Sequence, residues 1–472
     1  MLVNLLLALA SIWIFGTWIA GLCALVLIFV WRLLPSDQGP PVLPLVMTTQ
    51  WAQVTCGLFY AGLTGRELQA IVDSDYEPMV LVGLGSVVAL TIGLALGIQL
   101  VQRNMEHRNH APAEIVTLQT LLIVYAAAIA VTGAMQQVAF VYSQFTQAIL
   151  ALAFIRLGLL SLVFRRLTFP RLQGLPILAI LSFEVALGFT GFFSDFKEPI
   201  VLAGLALLEV FDRKRAEHWV AGGALGAALI AAFVMWMGVR GEFRADFDDV
   251  AFASRTTRLQ RMQGLATDWF RQRDVSVQSD VDNFVDRAWA IYYPALTMER
   301  VPAVLPHTDG QLMSDVLFHL VTPRLFFPDK PPLPNESEFV RRYAGADVAG
   351  EEEGTTFAFG YAAESYVDFG IPMMFLPILV FGVLMGCAYE GILRFIAHRE
   401  ISIGLVTCIF WINLSLFERS WSKILGLALT MMAYLGGVAF LVDRYLIFRN
   451  IRRIEEDPGL GDETSVYGGA EP

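Results

Sequence analysis

The stretch MVLVGLGSVVALTIGLALGIQLV, residues 79–101, decides the fold class. It carries no charged side chain over 23 residues. A helix of that length rises about 35 Å, enough to cross the ~30 Å hydrocarbon core of a bilayer. Working outward, comparable apolar runs fall at about 10–33, 43–62, 114–136, 147–164, 176–193, 199–211, 219–239, 371–393, 403–418 and 424–447. The chain is 472 residues long, 56% hydrophobic and 16% charged, where a soluble domain carries about 25% charge. An all-α polytopic membrane protein is therefore expected, with about 11 transmembrane helices (10–12). The run at 199–211 is short for a crossing, so 176–211 reads as two spans or a re-entrant hairpin.

Charge placement sets the expected orientation. Segments such as QRNMEHRNH, RRLTFPRLQ, DRKRAEH, RFIAHRE and RNIRRIEED alternate onto one side, where short stretches hold 15 Lys and Arg. The opposite short loops hold four: Arg66, Lys197, Arg419 and Lys423. The basic side is expected to be cytoplasmic, with the N-terminus out and the C-terminus in. The first basic residue is Arg32, so the N-terminal run reads as a retained span and not as a cleaved signal. Four units follow: a transmembrane bundle over 1–239, an extracytoplasmic loop subdomain over 240–370, transmembrane helices over 371–448, and an acidic, Gly-rich tail over 449–472 that composition marks as disordered.

Composition also excludes some functions. A net charge of −11 does not suit nucleic-acid binding. Cys23, Cys56, Cys387 and Cys408 all lie in apolar runs and form no CxxC or Cys/His set, so neither a metal nor another cofactor is expected. The triplet Asp246-x-Asp248-Asp249 is too common a pattern to carry a metal site, and His307 and His319 read as structural. No P-loop, dinucleotide fingerprint or nucleophile elbow is present.

The polar stretch is rich in arginine. Residues 240–355 hold 13 Lys and Arg beside 19 Asp and Glu. The mixed field fits a salt-bridged surface, and a few of its cations gathered at the membrane face would suit a diphosphate, which guanidinium groups bind bidentately. Arg240 and Arg244 leave the 219–239 helix, and Arg324 and Lys330 lie in the proline-rich strap TPRLFFPDKPPLPN, residues 322–335. Its prolines exclude a regular helix, while Phe326 and Phe327 suit a membrane anchor. Arg156, inside ILALAFIRLGLLSLVF, is an ionisable group at membrane depth and hence a candidate site residue, with Glu184 a weaker one. Asp195, Lys197 and Glu198 crowd one tight turn. Glu364 and Asp368, four residues apart at the opening of the 371–393 helix, share a helix face. Either could take a proton from a hydroxyl or simply meet the helix dipole.

Three stretches, FSDFKEP (193–199), TPRLFFPDKP (322–331) and AAESYVDFGIP (362–372), in a polytopic body with one large loop before the last spans, resemble the bacterial oligosaccharide repeat-unit polymerases that make O-antigen and exopolysaccharide. The resemblance covers most of the chain in architecture but only about 30 residues by motif. It implies a metal-independent glycosyltransferase of GT-C-like architecture in the bacterial inner membrane. The substrates would be undecaprenyl-diphosphate-linked oligosaccharides, one glycan passing to a sugar hydroxyl of another with release of undecaprenyl diphosphate. A chain-length regulator and a flippase of the same pathway would be partners, alongside membrane lipid. Glu364, Asp368 and Asp195 would be candidate catalytic residues. Arg324, Lys330, Arg240, Arg244, Arg156 and Lys197 would hold the diphosphate. An O-antigen ligase-type transferase shares donor and leaving group and stays open, as does a transporter or flippase with Arg156 and Glu184 along its path.

Overall fold

The computed structural model describes residues 2–34, 40–66, 76–104, 117–141, 146–169, 171–189, 196–245, 255–271, 273–322, 327, 330, 333–350 and 356–456. Arg324, Phe326, Asp195, the Asp246–Asp249 triplet and the tail beyond Glu456 lie outside these residues. Among them there is no strand.

In chain order the helices are α1 (Leu2–Phe15), α2 (Trp18–Leu33), α3 (Val42–Thr64), α4 (Glu77–Asn104), α5 (Leu118–Val141), α6 (Thr146–Ala153), α7 (Ile155–Thr168), α8 (Gly174–Phe189), α9 (Lys197–Glu209) and α10 (Ala216–Ala245). The polar segment supplies α11 (Arg255–Arg271), α12 (Arg273–Ala288), α13 (Tyr292–Arg300), α14 (Gln311–Val321), α15 (Glu336–Phe339, running into a π-turn over Val340–Ala344) and α16 (Tyr361–Phe369). The chain closes with α17 (Phe375–Phe395), α18 (Arg399–Leu414) and α19 (Trp421–Glu456).

Six helical stretches among the described residues are long and apolar enough to cross a membrane: Glu77–Asn104, Leu118–Met135, Ala148–Thr168 (α6 and α7 taken together), Ala216–Phe243, Phe375–Phe395 and Trp421–Leu446. Five other expected runs take different forms. The run at 10–33 breaks into α1 and α2 at Gly16, which turns through a left-handed φ of +68°, while Thr17 accepts from Ile19 N at 3.3 Å. The 43–62 run is long enough as α3 but carries Thr48, Thr49, Gln50, Gln53 and Thr55. Helices α8, α9 and α18 have 16, 13 and 16 residues. Helix α19 continues to Glu456, so residues 449–456, assigned by composition to the tail, are helical.

The tightest helix pair is α4 with α17. Gly93 and Gly97 on α4 face Gly382 and Gly386 on α17, a small-xxx-small spacing on both partners. A Cβ on Gly382 would stand 2.7 Å from Leu90 O, and one on Gly97 would stand 2.7 Å from Cys387 N. The two backbones therefore touch directly, and only glycine fits between them.

The polar segment is built into the same core. One continuous cluster of buried side chains runs from Ile19 through α3 and α4 to Trp289, Ile291, Val301, Tyr343 and Trp421. Trp289 lies against Gly57 of α3 and donates its indole N–H to Val54 O at 2.9 Å. A smaller cluster joins Phe189, Phe196, Trp236 and Phe243 to Met262 and Leu265 of α11.

The end of the bundle where α17 finishes and α18 begins is laced by ion pairs: Arg165 with Glu209 at 2.8 Å, Arg166 with Glu400 at 2.7 Å and Arg394 with Glu390 at 2.6 Å. The candidate site lies at the other end.

Candidate functional site

The site is built on α16 and the loop between α18 and α19. The sequence reading placed Glu364 and Asp368 at the opening of the 371–393 helix, but the structure puts them on α16, a separate short helix. Gly370, at φ +60°, ends α16, and a Cβ there would press into the His307 ring at 2.9 Å. The next span starts only at Phe375.

Helix α16 is anchored by its own polar atoms. Tyr361 N donates to Arg419 O at 2.8 Å, and the Tyr361 hydroxyl donates to Gln50 Oε1 at 2.7 Å. The Trp421 indole donates to Ser365 Oγ at 2.9 Å. The polar residues of α3 hold the other half of the support. Gln50 donates to Leu414 O at 2.7 Å, while Gln53 donates to Ser415 O at 2.8 Å and accepts from Phe417 N at 2.9 Å. The amides of α3, Gln50 and Gln53, are thus the brackets of the site.

Glu364 is 2% exposed. Its Oε2 accepts the Trp421 amide at 3.1 Å, at the positive end of α19, and its Oε1 has no hydrogen-bond partner among the described residues. Burial pushes its carboxyl up to about 8; Glu336 and Asp368 add to the rise, and the Trp421 amide and Lys423 oppose it. The side chain lines a cleft of about 150 Å³, together with Asp315 and Gln311 of α14, Phe339, Arg342 and Tyr343, and Ser422. Arg342 lies over the Tyr343 ring at 5.3 Å. Beside the cleft, Lys423 pairs with the buried Glu336 at 2.8 Å. The Arg419 guanidinium donates to Ile412 O; burial pulls it below the usual arginine range, and Glu336, Glu198 and Glu418 oppose that pull. Arg287 pairs with Glu418 at 2.6 Å, which holds its guanidinium above its ordinary range.

The other expected residues divide by what they touch. Asp368 is buried and caps α14, accepting from Thr308 Oγ1 at 2.5 Å, Leu312 N at 3.0 Å and Met313 N at 2.8 Å. It shares α16 with Glu364, but its oxygens are spent on a neighbouring helix. Lys330 closes the other end of α14, donating to His319 O at 2.7 Å and Thr322 O at 2.6 Å. Arg156 pairs within the bundle with Glu184 at 3.2 Å, and Glu184 also accepts the Tyr125 hydroxyl. Lys197 stands 4.0 Å from Glu198. Arg240 is half-buried on α10 and is not among the residues lining the cleft; only the backbone of Arg244 is described. His307 is held structurally, its Nδ1 3.1 Å from Tyr366 O. No group of metal-ligating side chains occurs among the described residues.

Sequence reasoning passed over Asp315, Glu336, Arg419 and Lys423 as site residues, and counted Arg342 only as one arginine of many. FERSWSK, residues 417–423, held a usable signal: two cations in a short loop on the side that otherwise carries few.

A bundle of apolar helices, closed at one end by a polar segment that shares its core, defines a helical multi-pass membrane protein. Within that class, the family described as Domain of unknown function (DUF8712) matches residues 79–390, more than half of the chain, and the protein belongs to it. No curated protein and no solved structure matches the chain.

Proposed function

We propose that the protein is a membrane glycosyltransferase of the repeat-unit polymerase type, with Glu364 as its general base. The observation that carries this reading is the unpartnered Oε1 of a buried carboxyl that lines a cleft beside Arg342. A carboxyl raised to about 8 is a strong enough base, once ionised, to take the proton of an acceptor sugar hydroxyl. The hydroxyl oxygen bonds to the anomeric carbon of the donor glycan as the bond from that carbon to the diphosphate oxygen breaks. Arg342, which lines the same cleft, meets the charge that develops on the leaving diphosphate, and Arg324 of the strap is its proposed companion. The donor and acceptor are undecaprenyl-diphosphate-linked oligosaccharides.

In this reading the more polar helix α3 and the shorter helices α2, α8, α9 and α18 complete a GT-C-like body of about eleven membrane segments. The protein lies in the bacterial inner membrane with its N-terminus outside and the cleft on the outer face. The charge asymmetry of the loops supports that orientation.

The test is the glycan profile of a deletion strain complemented with variants. Wild type restores polymer. Glu364→Gln and Arg342→Ala, at equal protein level, leave single lipid-linked repeat units on the outer face. Units retained on the cytoplasmic face would instead mean a flippase. Full-length polymer that stays on the carrier and never reaches lipid A core would mean a ligase.

A further inference from the structure

Helix α14 presents an outward face that changes character along its length. Gln311, Ser314 and Asp315 are exposed in its first turns, whereas Leu317, Phe318 and Val321 are 47%, 68% and 72% exposed in its last two. Positions 311, 314, 318 and 321 repeat with helical period, so they form one strip, polar at the head and apolar at the foot. Phe327, in the strap that follows, is 51% exposed. Ile371, Met373 and Leu376, at the head of the candidate span α17, extend the apolar exposure. The N-terminus of α14 is tied to that region through Asp368 and through Gly310, which abuts the Phe369 ring.

The backbone at the foot of α14 is closed by side chains. The last carbonyls of a helix have no partner within it and are met by side chains or by water. Here side chains meet them: Thr322 Oγ1 donates to Phe318 O at 2.7 Å, and Lys330 donates to both His319 O and Thr322 O. Such closure leaves these carbonyls satisfied without water, so the foot of α14 is compatible with an apolar surrounding, and the exposed Leu317, Phe318 and Val321 supply the reason to place it in one.

We infer that α14 enters the bilayer obliquely, its first turn at the headgroup level and its Leu317–Phe318–Val321 face against phospholipid acyl chains. The occupant of the apolar strip is bilayer lipid. Because Gln311 and Asp315 of the same helix line the cleft, the cleft then opens at the membrane surface. This placement is independent of the chemistry proposed for Glu364.

The test uses the full chain in nanodiscs, with p-benzoylphenylalanine introduced singly at Gln311, Phe318 and Val321. Irradiation at 318 and 321 should add the mass of one phospholipid several-fold more often than at 311. An adduct to another protein chain, or an equal yield at all three positions, would overturn the inference. Brominated phospholipids provide a readout that does not depend on crosslinking. Phe318→Trp should lose more fluorescence to them than Gln311→Trp, each measured against the unsubstituted protein. Quenching of the 318 position by aqueous iodide instead would also overturn it.

Discussion

Glu364 and Asp368 are chemically alike and one helical turn apart, yet their partners separate them. Asp368 spends both oxygens on α14. Asp368→Asn should therefore lower thermal stability, by about 1–2 kcal/mol for a lost charged cap, and leave turnover per folded molecule largely intact. A melting curve and an activity assay on the same preparation separate the two effects. Glu364→Gln should do the reverse. Its carboxyl, raised to about 8, binds a proton more tightly in the folded state than in the unfolded one. That stability is present at low pH and is lost as pH rises from the ordinary carboxylate range through about 8. The melting temperature of the wild type should fall across that window, and Glu364→Gln should flatten the slope. As a base, Glu364 must be ionised, so the transfer rate should rise with pH through about 8. The sequence named both carboxylates but not their division of labour, because periodicity shows which residues share a face and not which neighbouring helix arrives to use them. The strap lysine followed the same course: Lys330 was legible as a cation near the membrane, and the structure shows it donating to the carbonyls of His319 and Thr322.

At the scale of elements, what hydropathy could read was length and apolarity. It located the six long helices within a few residues of their positions. It did less well where packing overrides composition. Helix α9 is only 13 residues long, yet most of it is buried against its neighbours. Helix α3 carries amides that pay for themselves only once the 414–417 loop is in place. The α4–α17 seam depends on glycines that a hydropathy average scores as neutral. Gly386→Val should prevent the two helices from closing, because even a Cβ at that position would meet the Leu94 backbone. Gly391→Ala, on the same helix with nothing within 4 Å, should be neutral or slightly stabilising, by up to about 1 kcal/mol. The yield of monodisperse protein in detergent should distinguish them.

At the scale of the whole molecule, composition marked 240–370 as a polar unit set apart from the spans. The structure joins much of it to the bundle through one core, with Trp289 as a central peg. Composition could not show this, because the pegs are single aromatic residues scattered through a charged background. Trp289→Ala should cost about 3–5 kcal/mol. It should also open the segment over 290–350 to protease while the membrane helices stay protected, which limited proteolysis with mass mapping would reveal.

The amides of α3 have a mechanical consequence. Gln50 and Gln53 suspend Tyr361, Leu414, Ser415 and Phe417 from one helix of the bundle. The height of Glu364 is thereby gauged against that helix and not against the lipid headgroups. A thinner or thicker bilayer tilts the peripheral helices without moving this internal datum. Activity across vesicles of increasing acyl-chain length should stay nearly level for the wild type and vary steeply for Gln53→Leu, whose loop is free to follow the lipid.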